Sequence, residues 1–138
     1  MSKAEDLKMG ELNESKHINT LCEKFETELI KDTNKFSIMD WSNKNSTIYV
    51  ELKSRRVNHN TYQTAVVGLN KVNFCNDSTK TYYFAFAYQD GLYYIKYDKD
   101  LFNTFSIQHM KISYRKDVGR NEINDVIHIP IELLIKLN

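Results

Sequence analysis

Glu51 and Lys53 stand two residues apart in the apolar run Thr47–Lys53. Residues two apart on a strand project from the same face, roughly 6.6 Å apart along the chain. Ile48, Val50 and Leu52 then point one way, and Tyr49, Glu51 and Lys53 the other. An acid and an ammonium so placed can simply pair across solvent. They can also serve phosphodiester hydrolysis. That chemistry needs a hard cation to neutralise charge developing on the phosphate, an activated water, and a cationic group near both. Mg²⁺ prefers oxygen ligands and keeps several waters, so two carboxylates suffice to hold it. Asp40, just before the turn into the Glu51 strand, can supply the second. Lys53 can orient or help deprotonate the attacking water and stabilise the transition state.

Acid-x-Lys tripeptides are common in a charged chain, and this one holds three: Asp6-Leu7-Lys8, Glu14-Ser15-Lys16 and Glu51-Leu52-Lys53. The first lies in a polar tail. The second lies on a helix, where the same spacing does not put both groups on one face. Only the third sits on an apolar strand with an acid at the end of the preceding one. The competing reading is a solvated strand face.

Several elements must position these residues. Ile18, Leu21, Cys22, Phe25 and Leu29 recur at helical spacing and predict a first helix over Glu11–Ile30. Glu14 lies one turn before Ile18, on that stripe. Phe36–Trp41 reads as extended, Ser42–Ser46 as an Asn-rich turn, and Ser54–Asn60 as a polar, basic connection. Tyr62, Ala65, Leu69 and Val72 predict a second helix over Thr61–Phe74. Thr81–Tyr88 and Leu92–Tyr97 read as strands joined at Asp90-Gly91. One strand is expected within Ser106–Ser113, a polar loop over Lys116–Asp125, a last strand at Val126–Pro130 and a closing helix over Ile131–Leu137. A helix, strands, a helix and more strands suit an α/β or mixed α+β layer, a sheet with helices packed on it.

With the leading helix, an Asp at a strand end, a hydrophobic strand ending in Glu51-Leu52-Lys53 and a helix after it, the chain resembles the PD-(D/E)xK nuclease superfamily. That superfamily includes restriction-endonuclease-like and Holliday-junction-resolvase-like members. The resemblance spans Gly10 to Phe86. It implies a central mixed sheet flanked by helices in α-β-β-α-β order, here with extra C-terminal strands. It also implies Mg²⁺ or Mn²⁺ held by Asp40 and Glu51, a catalytic Lys53, and DNA as substrate. Many members carry a Glu on the first helix, often shortly after a Gly. Gly10-Glu11-Leu12-Asn13-Glu14 offers Glu14, with Glu11 as second choice. An acid on the buried stripe is costly unless it meets a metal or a cation, which favours Glu14. The Pro that often precedes the Asp is replaced by Met39. Glu51–Arg56, Thr61–Thr64, Gly68–Lys71 and Ile129-Pro130-Ile131 are also similar to members from large DNA viruses.

Arg55, Arg56, His59 and Lys71 form a candidate basic rim for the phosphates of a nucleic acid, against the alternative of a solvated basic loop. Tyr62 reads as core. Gly68 suggests close approach of helix and sheet. The tyrosines of the two paired strands divide by alternation into a core half and a surface half, the latter able to stack on bases. His17, His59, His109 and His128 lack paired ligand spacing, which argues against zinc.

The 138 residues are expected to make one domain, 1–138. At 41% hydrophobic and 27% charged the composition is that of a globular protein, and a net charge of +1 excludes a purely electrostatic nucleic-acid binder. Cys22 and Cys75 fit reduced core residues, and no apolar signal core or membrane-length run occurs. Together with the viral likeness, this places the protein inside a cell, in cytoplasm or nucleus, without a membrane partner. The apolar C-terminal segment Ile129–Leu137 is either core or the interface of a homodimer. Two alternatives to a nuclease share the expected fold: a silent nucleic-acid-binding module and a protein-interaction module.

Overall fold

Alternation along the Glu51 strand sends its side chains into two separate cores. The computed structural model describes residues 3–34, 38–109, 112–115, 120–123 and 125–137. Its first half runs α1 (Lys3–Phe25), β1 (Ile30–Lys31), β2 (Trp41–Ser42), β3 (Ile48–Ser54), β4 (Thr64–Gly68) and α2 (Leu69–Phe74). Its second half runs β5 (Thr81–Tyr88), β6 (Gly91–Lys96), α3 (Lys99–Phe102), β7 (Ser106–Gln108), β8 (Ile112–Arg115), β9 (Arg120–Ile123), β10 (Val126–Pro130) and β11 (Ile135–Lys136).

The main sheet has the order β1-β2-β3-β5-β6-β11. Its central pair, β3 and β5, is parallel, with Glu51 beside Phe84 and Lys53 beside Phe86. The other pairs are antiparallel. A parallel pair needs a crossover, and here β4 and α2 lie within it. A second, antiparallel sheet has the order β4-β10-β7, and β8 pairs with β9. The result is the mixed α/β architecture expected of a restriction-endonuclease-like core.

One face of the main sheet packs on α1: Ile18 and Leu21 meet Val50, Ala85, Ala87 and Leu92, with Leu52 at the margin. Phe25 stacks on Tyr83 at 3.9 Å between ring centroids. The other face packs on the second sheet and α2, where Phe84 and Phe86 meet Ala65, Val67, Val72, Ile127 and Ile129. Val50, Phe84, Phe86 and Ile129 are fully buried, and each such side chain contributes roughly 1.5–3 kcal/mol. The face carrying Tyr49, Glu51 and Lys53 is therefore covered, not solvated. Covering on both faces removes the expected surface half of the tyrosines: Tyr82, Tyr83, Tyr88, Tyr93, Tyr94 and Tyr97 are buried or half-buried, and pack on neighbouring rings.

Several expected elements differ. The first helix ends at Phe25, five residues early. Glu26 takes a left-handed φ of 54°, its N–H reaches the Glu23 carbonyl, and the Thr27 N–H reaches the Cys22 carbonyl. This paired closure stops a helix whose apolar spacing would let it run on to Leu29. The left-handed conformation favours glycine, so Glu26→Gly should stabilise the fold by about 0.5–1 kcal/mol, measured by urea denaturation.

The second predicted helix is mostly strand. Thr64, Val66 and Val67 are β-branched and stiff, and Ala65 and Val67 alternate inward against Ile129 and Ile127. Helix begins only after Gly68. Tyr62, expected in the core, is 66% exposed. A Cβ on Gly68 would meet Asn70 Oδ1, in the helix that follows, and not the sheet. The expected strand over Ser106–Ser113 is divided between β7 and β8, β9 falls in the expected loop, and α3 was not foreseen. The closing segment is a short 3-10 turn, Ile131–Leu133, and the edge strand β11, while Ile129 is fully buried. Residues 36–37 of the expected Phe36–Trp41 strand lie outside the described residues. Among the described residues no helix is long and apolar enough to cross a membrane.

Candidate active site

Glu51 sits at the middle of β3, and its burial follows from that position. The strand is covered on both faces, so an inward carboxylate has nowhere to reach water; Glu51 is 5% exposed. Asp40 reaches it from β2. That strand pairs Trp41 with Val50 and Ser42 with Tyr49. One step beyond the ladder, Asp40 falls opposite Glu51. The turn between β2 and β3 is fixed by Asn43, whose side-chain oxygen accepts the backbone N–H groups of Thr47 and Ile48. The Asn-rich turn seen in the sequence thus sets the register that brings the two acids together.

Two ammonium groups complete the cluster. Lys53 follows Glu51 on the same face of β3. Lys71 arrives from α2, with its Nζ 3.4 Å from Glu51 Oε2. That ion pair lacks hydrogen-bond geometry, so the buried Glu51 Oε2 has charge nearby but no hydrogen-bond partner. The Lys71 ammonium instead donates to the carbonyl oxygen of Ile38. Burial is the main influence on both strand residues. It pushes the Glu51 carboxyl up to about 7; Lys71 and Lys53 oppose this and Asp40 reinforces it. Burial likewise lowers the Lys53 ammonium; Glu51 and Asp40 oppose this, while Arg55 and Lys71 add to it. These mutual influences place Asp40, Glu51, Lys53 and Lys71 in one electrostatic cluster.

The donor set fits a hard divalent ion. Asp40 follows the register that places it opposite Glu51 and is near enough to raise the Glu51 carboxyl, and one buried Glu51 oxygen lacks a hydrogen bond. Among the described residues no three His, Cys, Asp or Glu side chains gather as a metal-holding group. A bound ion would therefore rest on the two acids, backbone oxygens and water.

The remaining candidates lie apart from this cluster or act differently. Glu14 is not the stranded acid that its stripe suggests. Its side chain is 32% exposed, and Oε1 accepts from Lys31 Nζ at 2.8 Å. That partner was invisible at seventeen residues' separation. The side chain of Glu11 lies outside the described residues. Arg55 and Arg56 are exposed directly after β3. Arg55 is tied by its backbone N–H to Ala87, and Nη2 stands 3.4 Å from the Val66 carbonyl. His59 is anchored by Asp90, which accepts from both its backbone N–H and its ring Nδ1, and the ring stacks on Tyr93. Asp90 was missed because its partner is far away in sequence. Lys71, placed on the rim from sequence, belongs instead beside Glu51. Cys22 and Cys75 are free thiols, and burial pushes Cys75 up to about 12.

No curated protein matches the chain. A family model described as "Phage putative PDDEXK endonuclease" matches residues 7–137. That span takes in α1, the Asp40 and Glu51 strands, α2 and the C-terminal strands, nearly the whole chain. The viral likeness read from the sequence is therefore to phage members, and this chain belongs to the phage PDDEXK endonuclease family.

Proposed function

We propose that the protein hydrolyses phosphodiester bonds of DNA with Mg²⁺ or Mn²⁺, using Asp40 and Glu51 as metal ligands and Lys53 as the catalytic cation. The observation that carries this reading is the buried Glu51 carboxylate. It lies beside Asp40 and two ammonium groups, with one oxygen lacking a hydrogen bond. A purely structural acid in that place would be expected to have a hydrogen-bond partner on each buried oxygen. When bound, the ion supplies a Lewis-acid charge for the phosphate and its attacking water. Lys53, on the same strand face as Glu51, holds the water and counters charge on the phosphate. Its lowered ammonium is better able to give up or share a proton near neutrality than a free lysine. Arg55 and Arg56, exposed after β3, are placed to take flanking phosphates, with His59 held in a fixed orientation by Asp90.

The test is cleavage of linear, nicked, branched and single-stranded DNA by the purified chain. With Mg²⁺ or Mn²⁺ at least one substrate should be cut. EDTA should stop the reaction, and excess metal should restore it. Cutting that persists in EDTA overturns the reading.

A further inference from the structure

We propose that Lys71 is a built-in counter-cation of the metal site, one that occupies Glu51 Oε2 until a divalent ion displaces it. The proposal rests on the reading of Asp40 and Glu51 as metal ligands. Its independent support is where the Lys71 side chain goes. From α2 it turns inward, and only 20% of it is exposed, against 6% of the Glu51 side chain. Its Nζ meets two oxygens from different elements, Glu51 Oε2 and the Ile38 carbonyl just upstream of Asp40. An ammonium has three donors and no acceptor, so it serves buried oxygens as a small cation does. A phosphate-binding lysine on a rim would instead keep its charge in water.

The arrangement is suited to exchange. Glu51 Oε2 receives charge from Lys71 without a hydrogen bond, so the ammonium only partly replaces what water would give. Lys53 is fixed on the strand of its neighbour Glu51. Lys71 reaches in on a flexible four-carbon stem from a separate short helix, and can withdraw without disturbing β3. An ion on Glu51 Oε2 would stand within a few ångströms of the Lys71 ammonium, and two like charges that close repel, so each weakens the other's hold on the carboxylate. The ion's arrival therefore frees a positive charge next to the scissile phosphate.

The test is calorimetric titration of Mn²⁺ into the metal-free full chain at pH 8. The wild type is compared with Glu51→Gln, Lys53→Met, Lys71→Met and Lys71→Arg. Because two like charges a few ångströms apart repel strongly, Lys71→Met should bind Mn²⁺ about tenfold tighter than wild type. Lys71→Arg, which keeps the charge, should not gain. Lys53→Met should gain less than Lys71→Met, since Lys53 does not stand on the contested oxygen. Loss of binding in Glu51→Gln upholds the metal site on which the proposal rests. Equal binding by wild type and Glu51→Gln overturns that site, and the proposal with it. If Glu51→Gln loses binding but Lys71→Met gains no more than Lys53→Met, the counter-cation role alone is overturned. A second readout needs no change at Lys71 in the protein observed. In wild type carrying ¹³C-labelled lysine, the Lys71 ε-carbon resonance, assigned by its absence in Lys71→Arg, should shift as Mg²⁺ saturates the site. An unmoved resonance overturns the proposal even if Lys71→Met fails to fold.

Discussion

Lys53→Ala should slow metal-dependent DNA cleavage by about 10²–10³-fold at saturating DNA and metal, while DNA affinity changes far less. The asymmetry follows from the position of the side chain. Lys53 is on the covered face of β3, beside Glu51, and not on the exposed connection with Arg55 and Arg56. A phosphate clamp acts mainly on binding, whereas a cation at the reacting centre acts where charge develops, and so on the rate. Glu51→Ala should lose at least as much, because it removes a ligand and also leaves Lys53 and Lys71 facing one another without their shared acid. Lys53→Arg separates charge from proton transfer. It keeps a cation but one that does not deprotonate. A rate near wild type for Lys53→Arg would assign the residue to charge stabilisation alone. Single-turnover cleavage and band-shift titration of the same variants make the comparison, and Lys53→Ala cutting at the wild-type rate would sink the assignment.

What the sequence made legible is local. Glu51 and Lys53 share a strand face by the two-residue period, and Asn43 marks the turn that sets Asp40 opposite Glu51. Both facts are fixed within about fifteen residues. What it hid is the lid of the site. Tyr62, Ala65, Leu69 and Val72 satisfy a helical period, yet the same residues fit a strand followed by a short helix, in which Ala65 and Val72 still point into one core. Period alone cannot choose between these; the β-branched run Thr64–Val67 and the partner strand β10 do. The difference between the two foldings decides where Lys71 goes. A long helix beginning at Thr61 puts Lys71 on its polar side, whereas the real α2, starting at Leu69, turns it toward Glu51. Glu14 is hidden for a different reason. It lies on the apolar stripe, but the stripe's end is open enough for a salt bridge to Lys31, and no pattern within the helix reports a partner beyond it.

Glu51→Gln should make the metal-free protein more stable above neutral pH than the wild type, while leaving it inactive. In the fold the Glu51 carboxyl is pushed up, chiefly by burial, from 4.5 to about 7. Between these values the native state holds a proton that the unfolded chain has lost. Unfolding free energy therefore falls as pH rises through that window, and above it the fold carries a buried charge that the unfolded chain would hydrate. At roughly 1.4 kcal/mol per pH unit across that window, the loss by pH 8 amounts to about 3–3.5 kcal/mol. Glutamine keeps the shape and has no charge to desolvate, so its profile should lack this descent. Lys71 loses an ion pair in the variant, but its partly exposed ammonium keeps the Ile38 carbonyl. Urea denaturation at pH 5, 6, 7 and 8 in EDTA gives the comparison: the two proteins should converge at pH 5 and separate by pH 8. Parallel profiles would mean that Glu51 is ionised at little cost. Saturating Mg²⁺ should then act on the wild type alone, since an ion that binds only the native state raises its stability and gives the buried carboxylate the partner it lacks. A carboxylate that destabilises the empty fold and is repaid only by the ion distinguishes a metal ligand from a structural acid, whose hydrogen bonds would stabilise the fold with or without metal.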